Sequence, residues 1–521
     1  MEASPEREHS CLTFVSYLQC LVTWAIGALN TVFVVYASSD LGNLAGIVRC
    51  LEGPGGTGGL KACEEAVASA FSPSISSNSS RAFCDTLDKS RWTYKEYKTL
   101  VSDFDLLCGK EWLASFAMTM YFLGMGVGCL AWIWLADRSQ RKRLLNMGRT
   151  CTGIFCFFSA TAPMLWLLFI FRFFLGVSVS IMMISAFVLS YDVTGVSWRP
   201  YCIVFLQFGF ALGACVAAFC AWALPRWRWL CIIAGILPIL LTMTTWSFMI
   251  ESPQWLLEQG RKGEATSALA AIAFGNHSRP PDCPLADPVN VLSNPQRRLI
   301  DIARNARLRR RFLLLSLAWV AIMVTYYSVF VSYDSIVHAK SSNNRNGSNG
   351  SGMELAFTGF AYEIVGVAIA ALIIDRIGRK YVTILGLVEC GAALMAASFH
   401  GGTTQEALIV ASRLGLSTAI VSMCILSWEL FPSIVVYQGM GMLHVISSAA
   451  VIAAPWLSFS VFLLHTGLVA LTICGSLCLG AGVIVTMLPD TLNTPIPKTI
   501  QDLGSAPSDN GATMMIPIVM T

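Results

Sequence analysis

Glu363 places a carboxylate inside a long apolar run, residues 355–374. An ionisable side chain at the centre of a membrane helix costs about 2.5–3.5 kcal/mol on insertion scales. Such a group either meets a solute or pairs with a buried opposite charge, and Glu363 reads equally well both ways. Arg172 and Arg413 lie in the apolar runs 165–190 and 407–428. Tyr326 and Tyr327 are adjacent in the run 312–333. Their rings can stack on flat or cationic solutes, and helix packing is nearly as good a reading. Phe205, Gln207 and Phe208 in the run 201–223, and Asn30 in the run 12–36, are weaker contact candidates. His444 in the run 438–462 has a side chain that titrates near neutral pH in water; a packed, satisfied histidine is the commoner outcome. There is no GxxxxGK[ST] phrase and no Gly-rich phosphate loop after a strand, so energy from a bound nucleotide is excluded. No nucleophile–base constellation argues for an enzyme. The residues point to no cofactor, no metal and no nucleic acid, and leave gradients or exchange as the source of energy. Any co- or counter-transported ion is left unnamed by the residues.

The elements that would position these groups are membrane helices. The 521 residues are 55% hydrophobic and only 13% charged, with a mean hydropathy of +0.63. Soluble domains carry about 25% charged residues. A net charge of +4 is too small to argue for nucleic acid. A membrane helix needs about 20 mostly apolar residues. Twelve runs qualify: 12–36, 112–135, 144–162, 165–190, 201–223, 229–250, 312–333, 355–374, 381–400, 407–428, 438–462 and 466–488. The polar start, MEASPEREHS, lacks the basic opening of a signal peptide, and residues 1–11 read as a cytosolic tail. The expected class is an all-α membrane protein with twelve transmembrane helices.

Basic residues in short loops set the orientation. Arg138, Arg141, Lys142 and Arg143 follow the second run, and Arg376, Arg379 and Lys380 follow the eighth. RNARLRRR ends the segment 251–311. Both termini are therefore expected in the cytosol, with Arg226 and Arg228 as exceptions on the outer side. The outer loop 37–111 holds Cys50, Cys63, Cys84 and Cys108, for which three disulfide pairings are open. It also carries the sequon at Asn78; Asn346 and Asn349 lie in the low-complexity stretch 341–352. Outside placement makes all three candidate glycosylation sites. Asn276 matches the same pattern, but the charge-based topology places it in the cytosol.

The charged phrases repeat. LADRSQRKRLL (135–145) parallels LIIDRIGRKYV (372–382). Asp137 and Asp375 are 238 apart, Arg172 and Arg413 are 241 apart, Asp192 and Glu429 are 237 apart, and Glu251 and Asp490 are 239 apart. Four features in one order at one offset make two six-helix halves, 12–250 and 312–488, joined by a cytosolic linker, 251–311, and followed by a cytosolic tail, 489–521. Parallel repeats of this kind form the major facilitator plan, with a site near the midplane between halves. Asp137, Arg138, Arg199, Asp375, Arg376 and Arg379, with Asp192 and Glu429 downstream, then read as charges that close one face and must part when it opens.

DRIGRK, RFFLG (172–176), ESPQWLLEQGRKGEA (251–265), ELFPSIVVYQGMG (429–441) and LPDTLNTPIP (488–497) resemble the organic cation and anion transporter family, solute carrier family 22, of the major facilitator superfamily. FDLLCGKEWL (104–113) resembles the end of that family's long outer loop. The resemblance spans about residues 12–500. It implies a plasma-membrane transporter of small organic ions or zwitterions, working by alternating access. It also makes Arg172 and Arg413 structural, near helix contacts, and matches Tyr326 and Tyr327 to a family aromatic pair. The chain departs from the pattern at Gln140, where the second copy keeps Gly378, and at Ile133. It departs again at Gln254 and Val436, which stand where arginines are usual. These departures keep a second reading open, a receptor or binding protein on the same scaffold. Seven residues before Pro455, where cation-preferring members carry aspartate and anion-preferring members arginine, this chain has the neutral Ser448. No strong preference for organic anions is expected.

Overall fold

The computed structural model describes residues 5–38, 48–50, 92–94, 99–106, 110, 112–136, 138–195, 198–224, 226–246, 249–275, 302–341, 351–400, 403–433, 435–457, 467–492, 494 and 497. Each of the twelve apolar runs contains a helix. In chain order these are α1 (Pro5–Ser38), α3 (Trp112–Ala136), α4 (Arg141–Thr161), α5 (Leu165–Val193), α6 (Arg199–Ala223), α7 (Trp227–Thr245), α10 (Ala306–Ser341), α11 (Ser351–Ile377), α12 (Arg379–Phe399), α13 (Thr403–Leu430), α14 (Val436–Val451) and α15 (Gly467–Thr486). Over described residues, nine are long and apolar enough to cross a membrane, and α1 adds the shorter apolar stretch Leu18–Val34. One antiparallel pair, β1 (Val48–Cys50) and β2 (Trp92–Tyr94), aligns Cys50 with Trp92. Apart from these strands and a few short segments, residues 37–111 lie outside the described residues, as do Asn78, Asn346, Asn349, Cys63, Cys84, Cys108 and Asp137; the side chain of Cys50 does too.

The helices pack as two six-helix halves. In the first, α3 and α4 lie on α5, α4 on α7, and α1 on α6. In the second, α12 lies on α13 and α15, α11 on α13, and α10 on α15. Small residues allow the closest approach. A Cβ at Gly124 would come 2.0 Å from the Phe173 carbonyl oxygen, and one at Gly176 2.1 Å from that of Tyr121. The α3–α5 seam therefore requires glycine on both sides. The halves meet through α3 with α14 and through α6 with α11.

The segment expected as a linker is partly folded. Ser252 caps α8 (Pro253–Glu258), its hydroxyl accepting the Trp255 N–H at 3.1 Å. Trp255 and Leu256 pack on Ala265 and Ala268 of α9 (Lys262–Gly275), which lies against α1. At the other end of the bundle, Thr99 caps the short α2 (Leu100–Asp103). Asp103 accepts from Trp227 Nε1 at 2.9 Å and Arg228 Nε at 3.0 Å, and Arg228 also donates to the Ala160 and Ala162 carbonyls. This explains one exception to the charge rule: Arg228 is held by local acceptors.

Candidate functional site

The repeat is visible atom by atom at the end of the bundle that carries the charged phrases, here the motif end. In the first half, Glu251 accepts the Lys142 N–H at 3.3 and 3.2 Å, and Lys142 Nζ donates to the Met249 carbonyl at 2.8 Å. In the second, Asp490 accepts the Lys380 N–H at 3.5 Å, and Lys380 Nζ donates to the Thr486 carbonyl at 2.7 Å. Each carboxylate sits at the N-terminus of a helix, α4 or α12, where the macrodipole favours it. Burial pushes the Glu251 carboxyl above its ordinary range, and backbone N–H donors from Ser252, Lys142 and Arg141 partly offset that. The turn before α12 needs glycine: Gly378 has φ +102, and a Cβ there would meet Asp490 Oδ2 at 2.6 Å. Gln140 sits at the matching cap with φ −56, so the first copy enters α4 through backbone that any residue adopts.

Asp375 joins the halves. Its Oδ2 accepts the Tyr201 hydroxyl of α6 at 2.6 Å, and its Oδ1 pairs with Arg379 Nη1 at 3.1 Å. Arg379 Nε also reaches Glu429 at 3.3 Å, and the Thr491 hydroxyl donates to Glu429. Asp192, at the end of α5, accepts the Ser252 hydroxyl and, across the halves, the Tyr437 hydroxyl, each at 2.5 Å. The same Tyr437 hydroxyl lies 3.2 Å from Gln254 Oε1. Gln254 and Tyr437, the residue beside Val436, thus meet at a phenol that also donates to the Asp192 carboxylate. Arg199 stacks on Tyr191 at 4.4 Å and Arg138 on Trp134 at 4.1 Å; Arg376 is exposed. Tyr437→Phe removes the donor from a charged acceptor, an interaction worth about 1.5–3 kcal/mol. Backbone amide exchange across residues 251–256 is expected to rise about tenfold in that variant; unchanged exchange would show that the phenol does not hold this segment.

Above this layer lies a cavity of about 150 Å³, lined from α1, α3, α5 and α6 of one half and α10, α11, α13 and α14 of the other. Ten aromatic side chains line it. Its floor at the motif end is a cross-half stack: Trp428 lies 5.0 Å from Phe187, 4.3 Å from Tyr191 and 5.9 Å from Tyr437. At the far end Phe122 meets Tyr327 edge-on at 4.9 Å, and Phe210 meets Tyr326 at 6.4 Å. Two wall indoles are fixed by serines, Trp132 by Ser185 at 3.0 Å and Trp319 by Ser427 at 2.9 Å. Trp319 also faces the His444 ring at 6.3 Å.

Of the candidates read from sequence, Gln207, Tyr326, Tyr327, Glu363, His444 and Ser448 line the cavity. Three do not. Asn30 is buried between α1 and α4, donating to the Ile26 carbonyl and accepting from the Cys156 thiol. Phe205 and Phe208 are exposed on the outside of α6, 43% and 37%, and it is Phe210 that turns inward. Among the described residues, Glu363 is the one charged lining side chain, and its charge is answered. Arg413 Nη1 lies 2.5 Å from Oε1, and the Tyr326 hydroxyl 3.3 Å from Oε2. The guanidinium is itself enclosed by the rings of Tyr326, Phe330 and Phe360 at 5.9, 5.4 and 5.3 Å. Arg172 is buried in α5 outside the cavity. Sequence reasoning passed over Trp24, Trp132, Phe187, Phe210, Trp319 and Trp428. Each sits in an apolar run where an aromatic residue is equally at home in a core. The nearest signal was Trp428 beside Glu429 in the ELFP phrase.

A family model described as sugar (and other) transporter matches residues 68–495. The organic cation transporter protein of Drosophila melanogaster is 28% identical over 439 residues, 81% of this chain and 77% of that protein. Solute carrier family 22 member 1 of Bos taurus is 28% identical over 421 residues, 79% of this chain and 72% of the relative. Solute carrier family 22 member 6 of Mus musculus is 24% identical over 429 residues, covering 80% and 76%. Among solved structures, the major facilitator proton:xylose symporter XylE bound to 6-bromo-6-deoxy-D-glucose superposes with a TM-score of 0.61 at 15% identity, covering 92% of this chain and 97% of the symporter. The inward-open form of the xylose transporter XylE from E. coli gives a TM-score of 0.57 at 13% identity, covering 92% and 98%. The likeness to these structures is one of fold.

Proposed function

Since the chain belongs to the sugar (and other) transporter family, and is therefore a multi-pass membrane transporter and not an enzyme, we propose that it is a plasma-membrane secondary transporter of small organic solutes working by alternating access. The observation that carries this is the aromatic cavity at the seam between two repeated halves, with side chains from both halves in contact at the motif end. Rocking one half against the other around such a site exposes it to each side in turn. The motif end is the cytosolic one, with both termini on that side and the loop 37–111 outside. The units are the halves 12–250 and 312–488, with 251–311 between them. Uptake by the purified protein in liposomes, across labelled cationic, anionic, zwitterionic and neutral solutes, tests the reading. Saturable uptake supports it. Saturable binding of the same solutes without uptake would favour the receptor reading, which the phenol latch at Tyr437 keeps in view.

The cavity's charge bears on its solutes. Glu363 is answered by Arg413, and Ser448 contributes no charge, so among the described lining residues no basic side chain compensates an anion. Weakly basic, zwitterionic or neutral solutes suit the site best, with rings as stacking surfaces. Ser448→Asp is expected to raise cation uptake relative to anion uptake about tenfold, and Ser448→Arg to do the reverse, at about 1.4 kcal/mol per tenfold. If the wild type takes up simple anions best, or if neither substitution moves the ratio in well-expressed protein, Ser448 does not set charge choice. Orientation has its own check. Asn78→Gln is expected to increase gel mobility toward that of glycosidase-treated wild type; unchanged mobility of the wild type on treatment, with no effect of Asn78→Gln, would remove the glycan at Asn78.

A further inference from the structure

Four arginines at the motif end stand each at the end of an outward-facing apolar stripe. On α3 the exposed residues Val127, Leu130 and Trp134 lead toward Arg138. On α4 Arg143 precedes Met147 and Ile154, 43% and 40% exposed. On α10 Arg310 precedes Leu313 and Leu317, 54% and 56% exposed. On α11 Val365 and Leu372, 48% and 73% exposed, lead to Arg376. On α4, α10 and α11, steps of three, four, seven and eleven residues keep the arginine on the face of its apolar neighbours; Arg138 lies two residues past the end of α3 and is placed by its contact with the Trp134 ring. These faces lie on the outside of the bundle, where a membrane protein meets acyl chains. One helical turn is about 5.4 Å, so each guanidinium sits just beyond the apolar edge, at headgroup depth.

The carboxylates of this end are engaged elsewhere. Asp375 holds Arg379 and Tyr201, Glu429 holds Arg379, Glu251 caps α4 and Asp490 caps α12. Among the described residues, no carboxylate pairs with Arg138, Arg143, Arg310 or Arg376; Arg138 rests on the Trp134 ring. Arg138 and Arg376 are repeat mates, 238 apart, so the arrangement appears once in each half. Trp134, 60% exposed under the Arg138 guanidinium, has the amphipathic ring favoured at the membrane interface.

We propose that Arg138, Arg143, Arg310 and Arg376 form a perimeter belt that binds the headgroups of anionic phospholipids in the leaflet at the motif end. A guanidinium matches a phosphate oxygen pair in geometry and in charge. Juxtamembrane basic residues attract an anionic leaflet by about 1 kcal/mol each. The belt is separate from the solute cavity, and its test does not depend on transport.

The test uses the purified full chain in mixed micelles, titrated with phosphatidylserine or phosphatidylcholine, with lipid retention and the thermal midpoint as readouts. The wild type is expected to retain phosphatidylserine at least tenfold better than phosphatidylcholine and to be stabilised by it alone. Each arginine changed to glutamine is expected to weaken retention about fivefold. The quadruple Arg→Gln protein should retain both lipids alike, and the quadruple Arg→Lys protein should keep most of the preference, which separates lost charge from lost fold. Equal retention of the two lipids by the wild type, or full preference in the quadruple glutamine protein, overturns the proposal. Stabilisation by inorganic phosphate or free phosphoserine equal to that by the lipid would overturn the lipid as its source.

Discussion

Glu363→Gln is expected to unfold or strongly destabilise the protein, by about 3–5 kcal/mol, because it removes the carboxylate that faces the buried Arg413 guanidinium. Both side chains are 5% exposed or less, and the rings of Tyr326, Phe330 and Phe360 flank Arg413. Arg413→Gln should do comparable damage from the other side, leaving the carboxylate, among the described residues, with the Tyr326 hydroxyl. The double variant, Glu363→Gln with Arg413→Gln, removes both charges and should recover much of the loss. Thermal midpoints of the four proteins close the cycle. Additive losses in the double variant would mean that the two groups are not coupled. The double variant also separates architecture from recognition. If it is well folded and still takes up solutes, Glu363 is an arginine's partner; if it folds and loses cationic solutes alone, Glu363 also contacts them.

Asp375→Asn is expected to shift the protein toward a state open at the motif end by about tenfold in population, equivalent to about 1.4 kcal/mol. The substitution keeps the size of the side chain and removes the charge that holds Arg379 and accepts from Tyr201 across the halves. A contact made only in the closed state biases the equilibrium by its full differential strength. Asp192 with Tyr437 and the Trp428 stack remain, so closure weakens without failing. Thiol labelling of a cysteine introduced in the α6–α11 seam, at normal expression, reads the shift. Unchanged labelling would leave Asp375 as a local partner of Arg379 with no part in closure.

The architecture was legible because helices in lipid must satisfy their own backbone, so apolar length alone marks them. The repeat was legible because charged residues are costly there and survive only in fixed places. Glu251 with Lys142 and Asp490 with Lys380 now give the shared offset a common geometry. The Gln140 departure also has a physical reason, since only the second copy takes a turn that requires positive φ. The cavity wall was half legible. Glu363, Tyr326, Tyr327 and His444 stood out as polar groups in apolar runs, and they do face inward. Phe205 and Phe208 did not, because an aromatic ring on a helix points to lipid or to the cavity according to angular position. A shift of two residues, to Phe210, turns the ring by about 200°. Asn30 misled for a different reason: its amide is satisfied by a carbonyl of its own helix and a thiol of α4, which no single-helix pattern displays.

Alternating access around the central cavity is tested most directly by labelling Ser448→Cys, in the α14 wall, with a membrane-impermeant maleimide. Sealed vesicles of both orientations present one face at a time, and the wild type in each sets the background from its own cysteines. The account predicts labelling chiefly from the face opposite the motif end, and a transfer of labelling toward the motif face when Asp375→Asn is added. Equal labelling from both faces in the resting protein, or labelling from one face alone that Asp375→Asn and saturating solute leave unmoved, would contradict it.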